Sequence, residues 1–365
     1  MSFSLNNCLS EMIKSGGSDL LLASGYAPAV RIYGKLTPMN MPEIESQDLE
    51  EVLKIALTPQ EYSNLQDNFN LDFAYESDVE EVGLCRFRCN AYLQSRGWSI
   101  AMRLIPWLPP TIEELCLPEN IASFAMNRNG LVLVTGPAGS GKTSTLAAMC
   151  RYINDTKPVH MIMIEDPIEY VHVNNMAMII QRQVGVHVCS FQRALTAALR
   201  EDPDVIVVGE LRDLETMQLA ITAAETGHLV LSTMHTTSAT HTISRLISSF
   251  PPNQQWQVRT MLADSLNAIV SQQLLPRLDG KGVIPAVELM INNEATAHII
   301  RENKIHQLVS IIESNSGKGM RLMDNDLLRL VREDLIDPED ALNRGHDKRE
   351  LANHLDLLIS RKRRG

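Results

Sequence analysis

At 365 residues, with 44% hydrophobic and 21% charged residues, the chain is neither disordered nor a single small core, and its composition is that of a soluble globular protein of two domains. A formal net charge of -11 excludes the basic excess of a general nucleic-acid binder; only Arg361-Lys362-Arg363-Arg364 runs the other way, as a solvated tail or a membrane-surface or partner contact. No stretch approaches the ~20 apolar residues that span a bilayer, and Met1-Ser2-Phe3-Ser4-Leu5-Asn6 lacks the charged-then-apolar order of a signal peptide.

Taken in order, Leu5, Leu9, Met12 and Ile13 form a helical stripe stopped by Gly16-Gly17. Ser18–Leu22, Ala29–Tyr33 and a Gly34-Lys35 turn into Leu36 read as strands of a small mixed sheet. Polar helices follow at Ser46–Ala56 and Pro59–Gln66, then strands at Leu71–Tyr75, Cys85–Leu93 and Ser99–Ile105. Residues 1–105 are thus a compact α+β module, and Pro106, Pro109, Pro110 and Pro118 mark a linker over 106–118. The six cysteines, with no C-x-x-C pair, suggest neither a zinc ribbon nor a redox dithiol and suit a reducing cytosol.

Beyond the linker, strands and helices alternate over 119–293 as a parallel α/β sheet demands, with apolar runs at Leu131–Thr135, Val159–Ile164, Val205–Val208 and Leu229–Thr233. Residues 294–365 are wholly helical in pattern, with stripes at Leu322, Met323, Leu327, Leu328 and Val331 and at Leu351, Leu355, Leu358 and Ile359. Between the first strand and a helix over Ser144–Ile153 lies Gly136-Pro137-Ala138-Gly139-Ser140-Gly141-Lys142-Thr143, the pattern G-x-x-x-x-G-K-[ST] in the strand–loop–helix context that gives it meaning. Its glycines let the backbone curl with φ > 0 and present N–H groups to phosphate oxygens, and the new helix points its positive end at the same place. Lys142 can reach the outer phosphates and the Thr143 hydroxyl can ligate Mg²⁺, so the chain is expected to bind ATP through Gly136–Ser144.

ATP chemistry also needs carboxylates. Asp204–Glu210 is an apolar strand closing on an acid at the sheet edge, which suits Glu210 as a metal-facing acid. Ile164-Glu165-Asp166-Pro167-Ile168-Glu169-Tyr170 crowds three acids onto a strand end; that is costly unless a cation such as Mg²⁺ or hydrogen-bond donors compensate, and one acid can then orient water. His228 and His235 bracket the strand Leu229–Thr233, too far apart for an i, i+4 metal pair but placed to sense a γ-phosphate or its neighbours.

Gly136–Thr143, Ile164–Tyr170, Leu199–Asp213 and Ala224–Thr237 together resemble the Walker A, Asp-box, Walker B and His-box motifs of the secretion-superfamily ATPases, most closely the PilT/PilU branch that drives type IV pilus retraction and twitching motility. The resemblance runs from Gly17-Ser18-Asp19-Leu20 to about Leu358. It implies a homo-hexameric ring of subunits with an N-terminal PAS-like domain, a RecA-like P-loop ATPase domain and nucleotide between them. It implies Glu169 as the catalytic base, supported by Glu165, Glu210, Lys142, His228 and His235, with Thr143, Glu210 and Asp166 as metal ligands. Arg86, Arg88, Arg96 and Arg103 fall at positions where family arginines neutralise phosphate, and Arg86 and Arg88 share one strand face.

Two features depart from the branch. Ala138 stands where threonine is common, and in Ala295–Glu302 Ala297 replaces the first of two arginines in a segment tied to retraction. With Ser271–Pro276 and Ser314–Met320, this tilts the reading toward an accessory, PilU-like ATPase acting with a paralogous motor. The expected protein is a cytoplasmic ATPase without membrane insertion or nucleic-acid partner, held at the inner-membrane pilus base by the platform protein. Rival readings are a pilus-assembly or type II secretion ATPase, a nucleotide-gated adaptor on a paralogous motor, and a RecA-type nucleic-acid motor.

Overall fold

The computed structural model describes residues 3–32, 35–79, 81–105 and 108–362; Met1, Ser2, Tyr33, Gly34, Glu80, Pro106, Trp107, Arg363, Arg364 and Gly365 lie outside the described residues. The chain forms two compact units: residues up to Leu108 with Pro167–Val171, and Pro109–Asp166 with His172 onward.

In the first unit α1 (Leu5–Lys14) begins where the Ser4 hydroxyl accepts the Asn7 N–H, and it buries Cys8, Leu9 and Met12. Strands β1 (Asp19–Ala23), β2 (Ala29–Ile32) and β3 (Lys35–Pro38) precede α2 (Ser46–Ala56) and α3 (Pro59–Asn68), and β4 (Asn70–Val79), β5 (Gly83–Gln94) and β6 (Gly97–Ile105) complete the sheet. A reciprocal Thr58–Glu61 capping box with Pro59 in the first turn fixes the start of α3, and Phe69 at φ 57 ends it. The sheet order is β3-β2-β1-β6-β5-β4. It was expected to be mixed; every strand pair is antiparallel. The cause is local: β1–β2, β2–β3, β4–β5 and β5–β6 are close in sequence, and such short connections suit only antiparallel neighbours. Alternation along β5 buries Cys85, Phe87, Cys89 and Ala91 in the core and leaves Arg86, Arg88 and Asn90 on the other face.

The second unit comprises α4 (Asn120–Ala125), β7 (Gly130–Thr135), α5 (Lys142–Thr156), β8 (His160–Glu165), β9 (Met178–Gln183), α6 (Phe191–Ala198), β10 (Val205–Val208), α7 (Leu214–Glu225), β11 (Leu229–Met234), α8 (Ala239–Ser248), α9 (Gln255–Ser265), β12 (Leu266–Pro276), β13 (Val283–Ile291), α10 (Glu294–Arg301), α11 (Leu308–Ser314), α12 (Met323–Arg332), α13 (Pro338–Arg344) and α14 (Lys348–Lys362). Its sheet runs β13-β12-β7-β11-β10-β8-β9, parallel except for the β12–β13 hairpin. Every residue of β7, β10 and β11 is buried, as strands covered on both faces must be. The period of two divides them: Leu131, Leu133, Ile206, Val208 and Val230 face the core under α6–α11, whereas Val132, Val134, Val205, Val207 and Leu231 face the core under α4 and α5.

The described part of the 106–118 linker is packed, with Ile112 and Leu117 buried in the α4–α5 core. The helical region after 294 is not one body: α10 and α11 complete the core under α6–α9, while α12–α14 build a smaller core on Leu275, Ile284 and Ala286 of the hairpin. No described helix is long and apolar enough to cross a membrane.

Candidate active site

The P-loop leaves the C-terminal end of β7, with the Gly136 N–H on the Met234 carbonyl of neighbouring β11 at 3.3 Å. Gly136, Gly139 and Gly141 all take positive φ, at 149°, 75° and 83°. Gly136 carries a second constraint, because a Cβ there would lie 2.3 Å from the Gln272 carbonyl oxygen and 2.4 Å from Ser140 Oγ. Helix α5 starts at Lys142 directly behind the loop, with Thr143 and Ser144 in its first turn, Pro137 half-buried and Ala138 exposed at the tip. The buried Lys142 ammonium donates to the Gly136 and Pro137 carbonyls at 3.0 and 2.9 Å, which folds the cation over the loop. Buried Gln272 on β12 ties the loop to the helix: its Oε1 accepts from Thr145 Oγ1 at 2.9 Å and its Nε2 donates to the Ser140 carbonyl at 2.5 Å. Ser140 Oγ is buried and has no partner among the described residues.

Register brings the acids to the same edge. Val208 pairs with Ile164 on one side and Ser232 on the other, and Met234 pairs with Thr135, so Glu165, Glu210 and His235 all emerge where the P-loop does. With strands about 4.8 Å apart, β10 stands two places and β8 three places from β7, a span of about 10–14 Å that suits a triphosphate site. The mostly buried Glu210 carboxylate takes Arg212 Nη2 at 2.6 Å and lies 3.3 Å from His235 Nε2.

Hydrogen-bond donors meet two of the three acids of the second motif. Glu165 is buried in the second unit and accepts Gln181 Nε2 at 2.9 Å; Asp166 is exposed; Glu169 belongs to the first unit, where its Oε1 takes Arg88 Nη1 at 2.7 Å. The Gln181 amide also accepts the His172 N–H at 3.0 Å.

His228 is not brought to this edge. It precedes β11, its Nδ1 lies 3.0 Å from the Ala223 carbonyl, and its own carbonyl takes the Gly130 N–H that opens β7. A six-residue strand separates it from His235 by about 20 Å, so it serves the α7–β11 turn within this chain. The four arginines are also dispersed over the first unit. Arg86 pairs with Glu76 at 2.6 Å and Arg103 with Asp19 at 2.7 Å. Arg96 sits 5.0 Å over the Tyr26 ring. Arg86 and Arg88 do share a face, and Arg88 stands directly across from Arg103.

Among the described residues no three His, Cys, Asp or Glu side chains form a metal cage. Thr143 and Glu210 instead suit Mg²⁺, which takes one or two protein oxygens and completes its shell with water and substrate phosphates. Sequence reading missed Gln272, Gln181 and Arg212. Only Gln272 carried a signal there, as part of a polar Ser-Gln-Gln triplet inside the otherwise apolar run of β12.

Comparison with known proteins gives the same picture. Residues 88–322 match the family described as Type II/IV secretion system protein. The type IV pilus retraction ATPase PilT of Pseudomonas aeruginosa is 43% identical over 328 residues, covering 90% of this chain and 94% of that protein. PilU of the same organism is 36% identical over 348 residues, covering 95% and 89%. The solved structure of the pilus retraction motor PilT with bound ADP superposes with a TM-score of 0.88 at 42% identity, over 96% of this chain and all of that one. The chain belongs to the Type II/IV secretion system protein family, in its type IV pilus retraction ATPase branch.

Proposed function

We propose that this chain is an ATP-hydrolysing motor that powers type IV pilus retraction, working as a cytoplasmic homo-hexameric ring docked on the inner-membrane platform of the pilus. One observation carries the reading: a P-loop, Glu210 and His235 emerge at one sheet edge in a chain whose fold matches a pilus retraction motor bound to ADP. Phosphate oxygens carry full charge and outcompete the neutral Gly136 and Pro137 carbonyls for the Lys142 ammonium. Gly136, Pro137, Ala138, Gly139, Ser140 and Gly141 supply the loop backbone around the phosphates, with Thr143 and Ser144 at the helix start. Thr143 and Glu210 would hold Mg²⁺, which would supply positive charge to the phosphates. Glu210 and His235, 3.3 Å apart, are then placed to sense the γ-phosphate together. Glu169 orients the attacking water, and Arg88 is its ion-pair partner here. Arg86, Arg96 and Arg103 are further candidates to neutralise phosphate charge.

A second reading, an accessory ATPase acting beside a paralogous motor, is favoured by Ala297. It is buried on α10 at a position where the retraction branch carries arginine. The higher identity to PilT than to PilU favours a principal motor.

The test joins biochemistry to phenotype. Lys142→Ala abolishes ATP turnover, and Glu169→Gln abolishes turnover while still binding nucleotide. Deleting the gene leaves surface pili that do not retract. Turnover only in a mixture with the paralogue selects the accessory reading, and loss of pili altogether selects an assembly ATPase.

A further inference from the structure

The loop carrying Glu169 is an excursion of the chain. Chain membership passes out of the second unit after Asp166 and returns at His172; the five residues between these two points, Pro167–Val171, belong to the first unit, with Ile168 and Tyr170 buried and Glu169 paired with Arg88. Both points are held by one side chain. Gln181, on edge strand β9, donates from Nε2 to Glu165 Oε1 at 2.9 Å on the outgoing side and accepts the His172 N–H at Oε1 at 3.0 Å on the returning side. Strand β9 is itself fixed in register against β8, with Gln181 opposite Met163 and Gln183 opposite Glu165. The amide spans the neck of the loop with its donor on one limb and its acceptor on the other, an arrangement that a carboxylate, hydroxyl or ammonium of similar length does not reproduce.

The geometry points to Gln181 as the positioning residue of the hydrolysis step: it staples the neck of the Asp166–Val171 loop and so fixes the reach of Glu169. This rests on Glu169 being the water-orienting base. Gln181 itself touches neither nucleotide nor water. A five-residue loop with unpinned ends samples many placements of its acid, and a displacement of about 1 Å from the productive geometry can cost on the order of a hundredfold in rate. Nucleotide binding, set by the P-loop and by Gln272 on β12, is outside the staple's influence.

The experiment compares the full-length protein with Gln181→Met, which keeps chain length and loses both hydrogen bonds. The expected result is a fall in kcat of about tenfold or more, with KM for ATP and affinity for a fluorescent ADP analogue within threefold of the parent. Hydrogen–deuterium exchange of the 166–172 amides rises while that of α5 does not. Unchanged 166–172 exchange with parental kcat overturns the staple, as does an equal loss of kcat and ADP affinity. If Glu169→Gln alone turns over ATP at the parental rate, the base assignment fails, and the exchange measurement still judges the staple by itself.

Discussion

His172, the residue at which the Asp-box loop returns, holds an imidazole that water hardly reaches. Its Nε2 has no partner among the described residues, and desolvation lowers its pKa from 6.5 to about 4. The folded state therefore keeps this ring neutral down to about pH 4, whereas the unfolded chain protonates it near 6.5. Between those values the unfolded state binds the extra proton, so stability is intact above 6.5 and falls as pH falls toward 4. At pH 5 the loss is about 2 kcal/mol of the ~3 kcal/mol available. Chemical unfolding at pH 7.5 and pH 5 should show His172→Leu losing about 2 kcal/mol less than the parent on acidification; equal losses would remove His172 from the acid response. Residues such as His172, Gln181 and Arg212 were not legible in the sequence, because their meaning comes from burial or from a partner far along the chain. Lys142, Glu210 and His235 were legible because phosphate chemistry fixes their types at strand ends. His228 was legible as the residue at the far end of β11, and its bond to the Ala223 carbonyl was not.

Elements were read well where the pattern was strong and local. The helices at 46–56 and 59–66 and the strands β7, β10 and β11 announce themselves through caps or continuous apolar runs. Strands β9 and β12 did not: β9 is an edge strand whose end is Gln181-Arg182-Gln183, and β12 interrupts its apolar run with Ser271-Gln272-Gln273. That interruption is where β12 serves the site. It lies parallel to β7, with Ser271 opposite Thr135, and the next residue, Gln272, reaches both the P-loop and α5. Gln272→Leu keeps the volume and strands the buried Thr145 hydroxyl and Ser140 carbonyl. Each costs about 1–3 kcal/mol, or the loop shifts to avoid the cost. Nucleotide affinity should fall by about tenfold or more, as 1.4 kcal/mol is a factor of ten. Titration with fluorescent ADP checks this, and an affinity within twofold of the parent would make β12 a bystander.

At the scale of the molecule, the C-terminal helices show how packing redraws a boundary that hydropathy suggests. A helical pattern from 294 onward reads as one appended region, yet its parts have different allegiances. Ile299, Ile300, Leu308 and Ile312 on α10 and α11 are buried in the same core as α6–α9. Removing those four side chains forfeits about 6–12 kcal/mol of burial at 1.5–3 kcal/mol each, as much as the whole stability of a typical domain. Helices α12–α14 instead cover Leu275, Ile284 and Ala286, and Asp326 on α12 accepts the Val287 N–H at 2.8 Å. A chain ending at Asn293 is therefore expected to be insoluble or unable to bind nucleotide. A chain ending at Leu322 keeps α10 and α11 and the Leu289–Arg321 bridge, and should fold, bind ADP and melt at a lower temperature than the full chain. Near-UV circular dichroism and ADP titration of the two truncations decide the matter. A folded, nucleotide-binding 1–293 fragment would restore the simple picture of a core with a detachable helical tail; its failure beside a competent 1–322 fragment would show that the ATPase core extends through α11.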